Sequence, residues 1–256
     1  MLKIRQEQLE IFEQAALKRF EDRLLEHVEK FFPQSYQILG EAQTRKVIRY
    51  GIEQAENYAL VSERDVCLYI NLMFMLGSDF DKDMQWPKVA AILEDKTITD
   101  SSTRIDQLYD EAMEQIDQIA GVENEHLQRL SAKIREEPLN KLWQSPRNNF
   151  DKEVLIKLRN LWPQKYNYVG ESLLQQLIQQ GIEAAKSYHL TSERNVAIYI
   201  GFMFILGSTF DQDPQLPWVA AILNDDSITD ETTRVDQLYK RARAHLKLSN
   251  QKQQVN

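Results

Sequence analysis

Few side chains in this 256-residue sequence are spaced for chemistry, and acids lead them. Glu53, Glu63 and Asp106 could form a carboxylate pair for acid and base work, and the same types return at Glu183, Glu193 and Asp236. Each set travels with arginines, Arg64 and Arg104 in one and Arg194 and Arg234 in the other. Ion pairs and caps that fasten helices account for such acids more simply than catalysis does. The run Asp79, Asp81, Asp83 has the alternating acids of a calcium loop, yet Met84 stands where that loop needs glycine and Ala90 where it needs glutamate. A polar turn is its expected role. His27, His126, His189 and His245 face Lys157, Asn256, Ala59 and Gln115 at the matching positions, so no histidine recurs. Neither a Gly-rich phosphate loop nor a zinc pattern is present. No catalytic residue, metal ligand or cofactor site is therefore expected.

The matching positions exist because the chain contains itself twice. At an offset of 130 residues, Phe31 to Tyr109 and Leu161 to Tyr239 share 43 of 79 residues without a gap, which reads as a tandem duplication. It divides the chain into a first repeat, 1–120, a second, 121–248, and a Gln-rich flexible tail, 249–256. Each repeat is long enough to bury its own core. Cys67 is the only cysteine and its counterpart is Ala197, which excludes an internal disulfide and suggests a small apolar role. The opening MLKIRQEQLEIFEQ lacks the apolar core of a secretory signal, so a cytoplasmic location is expected. The most apolar runs, Val66 to Gly77 and Val196 to Gly207, have 12 residues each, against the ~20 needed to span a bilayer.

Both repeats read as all-α bundles of about five helices. Ile4 to Phe32 carries Leu9, Phe12, Leu17, Phe20, Leu24, Val28 and Phe31 near one face, and Pro33 ends it. A second helix is expected to start near Glu41, with Gly51 and the matching Gly181 marking close helix packing. Ser62 and Asp65 suggest a capped start for a third helix that is apolar on nearly all sides, with Gly77 and Gly207 as C-caps. After a loop and a short segment, the last helix follows Thr99 and Asp100 and shows Ile105, Leu108, Ala112 and Ile116 on one stripe. The stretch from Gly121 to Phe150 holds Pro138 and Pro146 and should break into pieces.

Charge supplies the strongest candidate surface. The chain carries net −8, which disfavours nucleic acid and anionic membrane as partners. Residues 1–130 hold 15 basic against 25 acidic residues, whereas residues 131–256 hold 16 against 14. The last helix of the first repeat bears Asp106, Asp110, Glu111, Glu114 and Asp117, stacking like charges at a cost of ~0.2–0.5 kcal/mol per pair. Its counterpart keeps Asp236 but follows it with Lys240, Arg241, Arg243 and Lys247. The acidic helix reads as a solvated face, as a dock for its basic counterpart, or as a platform for a basic protein partner. Trp86 and Trp218, each beside a proline, are further candidate anchors for a partner, with filling of the core edge as the simpler role.

The string Ser62, Glu63, Arg64, Asp65, Val66, Tyr69, Ile70, Met73, Phe74, Gly77, Phe80, Asp81, Asp83 and Pro87 resembles a pattern in small helical proteins of Gram-negative bacteria, encoded near type VI secretion spike and effector genes. The resemblance covers Phe31 to about Tyr109 in each repeat. The family form is commonly single, so this chain departs by being doubled, and Lys88 stands where tryptophan often follows the proline. It implies association with toxin delivery and brings no catalytic residues. The expected function is binding of a cognate effector or spike component, as an immunity protein or as an adaptor. The competing expectation is a small-ligand sensor or enzyme whose inter-helix pocket uses Glu63, Tyr69 and Arg104.

Overall fold

The computed structural model describes residues 6–139, 143 and 149–251, with the backbone alone for 6–11, 13 and 245–251. Among the described residues there are twelve helices and no strand. The first half contains α1 (Gln6–Phe31), α2 (Pro33–Glu56), α3 (Glu63–Leu76), α4 (Pro87–Glu94) and α5 (Ser101–Ala120). The second contains α6 (Glu125–Glu136), α7 (Phe150–Leu161), α8 (Pro163–Val169), α9 (Glu171–Ser187), α10 (Glu193–Leu206), α11 (Pro217–Leu223) and α12 (Glu231–Gln251). No described helix is long and apolar enough to cross a membrane. Residues 249–251 continue α12, while 252–256 and Pro146 lie outside the described residues.

α1 ends before Pro33 as expected, but the proline also starts the next helix. Its fixed φ suits a first helical turn, and its missing N–H would have had no partner there. α2 therefore begins at Pro33 and is kinked at Gly40, where φ is 72°. The matching Gly170 separates α8 from α9. Along α1 the apolar stripe is only half used. Leu24 and Val28 are buried, whereas Phe12 and Leu17 stay 62% and 46% exposed.

α2 and α3 pack through Gly51, and α9 and α10 through Gly181. A Cβ on Gly51 would stand 2.7 Å from side-chain atoms of Ile70 and Met73, and one on Gly181 2.5 Å from Ile200. Glycine's cost in a helix is offset here by contact that no larger residue allows. α10 is buried nearly all round, whereas the outer strip of α3, including Cys67, Leu68, Asn71 and Met75, remains half-exposed. The difference has a named cause. Trp143, in the segment joining α6 to α7, is 4% exposed and lies on Gly201, where an added Cβ would meet the indole at 2.2 Å. The first half has Asn71 at that position, bonded at 2.8 Å to His27.

Helix ends are fixed by polar groups whose pattern repeats. Ser62 accepts the Asp65 N–H, and Asp100 and Asp230 accept the N–H groups of Thr103 and Thr233 at the starts of α5 and α12. Gly77 and Gly207 close α3 and α10 at φ 108° and 113°, a region that disfavours side chains. Arg104 donates to the carbonyls of Tyr58 and Ile98, and Arg234 to those of Tyr188 and Ile228, tying the end of one helix to the approach of another.

Candidate functional site

The acids with catalytic spacing do not meet. Glu63 pairs with Arg23 at the surface, Asp106 pairs with Arg64 at 2.6 Å, and Glu53 is exposed. Among the described residues, none of the main cavities is lined by Glu63, Tyr69 or Arg104. Tyr69 is fully buried, its hydroxyl pushed far above its ordinary value by burial and by the nearby Asp81, and Arg104 is spent on carbonyls. The three loop acids diverge in the same way. Asp79 accepts from the Tyr50 hydroxyl and Asp81 from Tyr58 at 2.8 Å, a bond repeated between Asp211 and Tyr188 at 2.7 Å.

The third acid of the loop crosses to the other half. Asp83 accepts the Ser208 N–H at 2.9 Å, and Asp213 accepts both the Ser78 N–H at 3.1 Å and the Ser78 hydroxyl at 2.5 Å. Beside them, the Gln85 amide donates to the Met203 carbonyl at 2.9 Å and the Gln215 amide to that of Met73 at 2.7 Å. Each loop thus completes the C-terminal end of the other half's central helix. Asp83, Asp213, Ser78 and Ser208 are all buried, and their surroundings belong to one continuous apolar core through both halves. The expectation of a simple polar turn misses this exchange.

The seam also holds a buried amine. Lys165, on α8, is 3% exposed, and its Nζ lies 5.4 Å from the Trp86 ring, 5.3 Å from Trp162 and 5.4 Å from Phe204. Ring faces attract a cation, which offsets part of the cost of taking it from water. Burial pulls its pKa down to about 8, against the opposing pull of Asp83. The folded value lies below the unfolded ~10.4, so the cost of the buried charge is fully present below pH 8 and fades as pH rises. Relative to Lys165→Met, the wild type should therefore gain about 2–3 kcal/mol between pH 8 and 10.5, read from urea unfolding across that range.

Trp86 is consequently not a surface anchor. It is 6% exposed, walls in Lys165 and packs on Tyr168 with ring centroids 6.2 Å apart. Trp218 is half-buried at a small apolar gap lined by Ile134, Trp143 and Tyr239. The acidic residues of α5 sort differently. Asp106, Asp110, Glu114 and Asp117 are exposed along one face, while half-buried Glu111 turns aside to Lys88 at 2.8 Å and Gln115. These contacts hold the Glu111 carboxyl below its ordinary value. Among the described residues Asp110 and Asp117 make no side-chain hydrogen bond or ion pair. The basic α12 does not cover this face. Its Arg243 donates to the Arg135 carbonyl at the end of α6, and Tyr239 bonds the Ile134 carbonyl at 3.0 Å.

Comparison with known proteins returns no match among family models, curated proteins or solved structures.

Proposed function

We propose that this protein works without catalysis, by binding a cognate bacterial effector or a secretion spike component, as an immunity protein or an adaptor. Its two halves descend in this reading from one duplicated helical unit, and it acts in the cytoplasm, where such effectors are held before delivery. The observation that carries the proposal is the exposed row Asp106, Asp110, Glu114 and Asp117 on α5. Like charges stacked at helical spacing cost stability, and complementary charge on a partner returns that cost as faster, more selective association. The resemblance of the Ser62 to Pro87 string to secretion-linked proteins supplies the class of partner.

Affinity purification of the tagged chain from its native host tests the binding role. One stoichiometric toxin or spike protein is expected, and recovery of the bait alone would overturn the reading. With the partner in hand, replacing Asp110, Glu114 and Asp117 by lysine should slow association at least tenfold at low ionic strength. The gap should narrow as added salt shortens the Debye length. An association rate unchanged by the triple substitution would remove α5 from the interface.

A further inference from the structure

A hollow of about 250 Å³ opens between the halves, bordered by Ser35, Phe74, Leu206, Asp213, Gln215 and Leu216. Adding or subtracting 130 turns Ser35, Phe74, Asp213 and Leu216 of that border into Lys165, Phe204, Asp83 and Trp86, the buried amine and the groups around it. The two places are counterparts, one filled from within and one open. Ser35 is too short to occupy the space that the Lys165 chain takes, and Leu216 leaves out the ring that Trp86 supplies. Phe74, stacked on Phe32 at 5.2 Å, is half-exposed where Phe204 is sealed. The carboxylate is nevertheless kept. Asp213 is 6% exposed, and among the described residues no cation pairs with it, whereas Asp83 has Lys165 in reach.

We propose that this hollow binds the side chain of a lysine carried by a protein partner, its alkyl chain against Phe74 and Leu216 and its ammonium toward Asp213. The chain's own Lys165 shows the chemistry that such a space accepts, a primary ammonium on an unbranched stem, between aromatic faces and a buried carboxylate. Burial without a cation pushes the Asp213 carboxyl up, and an incoming ammonium would relieve that. The proposal rests on the protein-binding reading only for the source of the lysine.

Titration of the full chain at pH 7 with Nα-acetyl-lysine methylamide, followed through backbone amide NMR signals, tests it. Saturable shifts centred on Gly77, Leu206 and Gln215 are expected, with the neutral Nα-acetyl-norleucine methylamide binding at least tenfold more weakly. Ser35→Lys, which sets the second half's own occupant in the hollow, should abolish the shifts. If that variant fails to fold, Ser35→Met blocks the same space with a neutral chain. The absence of saturable shifts would overturn the proposal, as would equal binding of the norleucine compound or unchanged binding to the filled variant. Tighter binding of butylammonium than of the lysine compound would overturn the partner lysine in favour of a free amine. These signals are read at the seam, so the result stands apart from that of the α5 substitutions.

Discussion

Replacing Asp213 by alanine is expected to lower the free energy of unfolding by about 3–5 kcal/mol, because it strands buried donors that each cost ~1–3 kcal/mol. The donors are the Ser78 N–H, the Ser78 hydroxyl and the Gln215 N–H at 2.7 Å, and the first two belong to the opposite half. Asp83→Ala should act alike, through the N–H groups of Gln85 and Ser208 and the Gln85 amide. The two losses should fall short of adding, since both loosen one seam and contacts that share a seam are coupled. Urea unfolding of the two single variants and the double variant measures this. Asp106→Ala is the reference, since its exposed ion pair is worth ~0–1 kcal/mol. A loss at Asp213 no larger than at Asp106 would mean that the exchange across the seam carries no stability.

Gly201→Asn, which gives the second half the residue the first half has, is expected to cost about 3–4 kcal/mol, close to the loss on truncating a buried tryptophan. The new side chain would claim the space of the Trp143 indole, already 2.2 Å from where a Cβ would stand. With Trp143 displaced, Ile198, Phe202 and Tyr239 lose a wall and the joining segment loses its anchor. Tryptophan emission should shift to the red on substitution. In a Trp143→Ala background the same change should cost far less, because the ring it would expel is already gone. An equal cost in both backgrounds would show that Gly201 is required for another reason.

The helices were legible because apolar spacing, Ser62, Asp100 and the glycines each state a local requirement, and local requirements are met locally. The helical segment from Pro33 to Gly40 was less so, since Pro33 can be read as a stop or as a start. The seam was harder. Asp83, Gln85 and Ser78 recur at Asp213, Gln215 and Ser208, but recurrence does not say whether a residue's partner lies in its own half or the other. Residues that matter by differing leave no recurrence to mark them. Lys165 opposite Ser35, and Gly201 opposite Asn71, are mismatches in the alignment, and only packing reveals that one fills and the other admits. Trp143 lies outside the aligned stretch. On α5 the charges were visible, but the departure of Glu111 toward Lys88 depends on where α4 lies.

The crossed loops have a consequence for the birth of the chain. When the first 83 residues have left the ribosome, the end of α3 still awaits Asp213 and Gln215, encoded some 130 codons later. At ~5–20 residues per second that interval is roughly 7–26 seconds. During it the nascent half presents an unfinished helix end that fits the same loop of any sibling chain on the same message. Joining both halves in one polypeptide makes the correct loop the nearest one when it arrives, and tethering thereby favours closure within the chain.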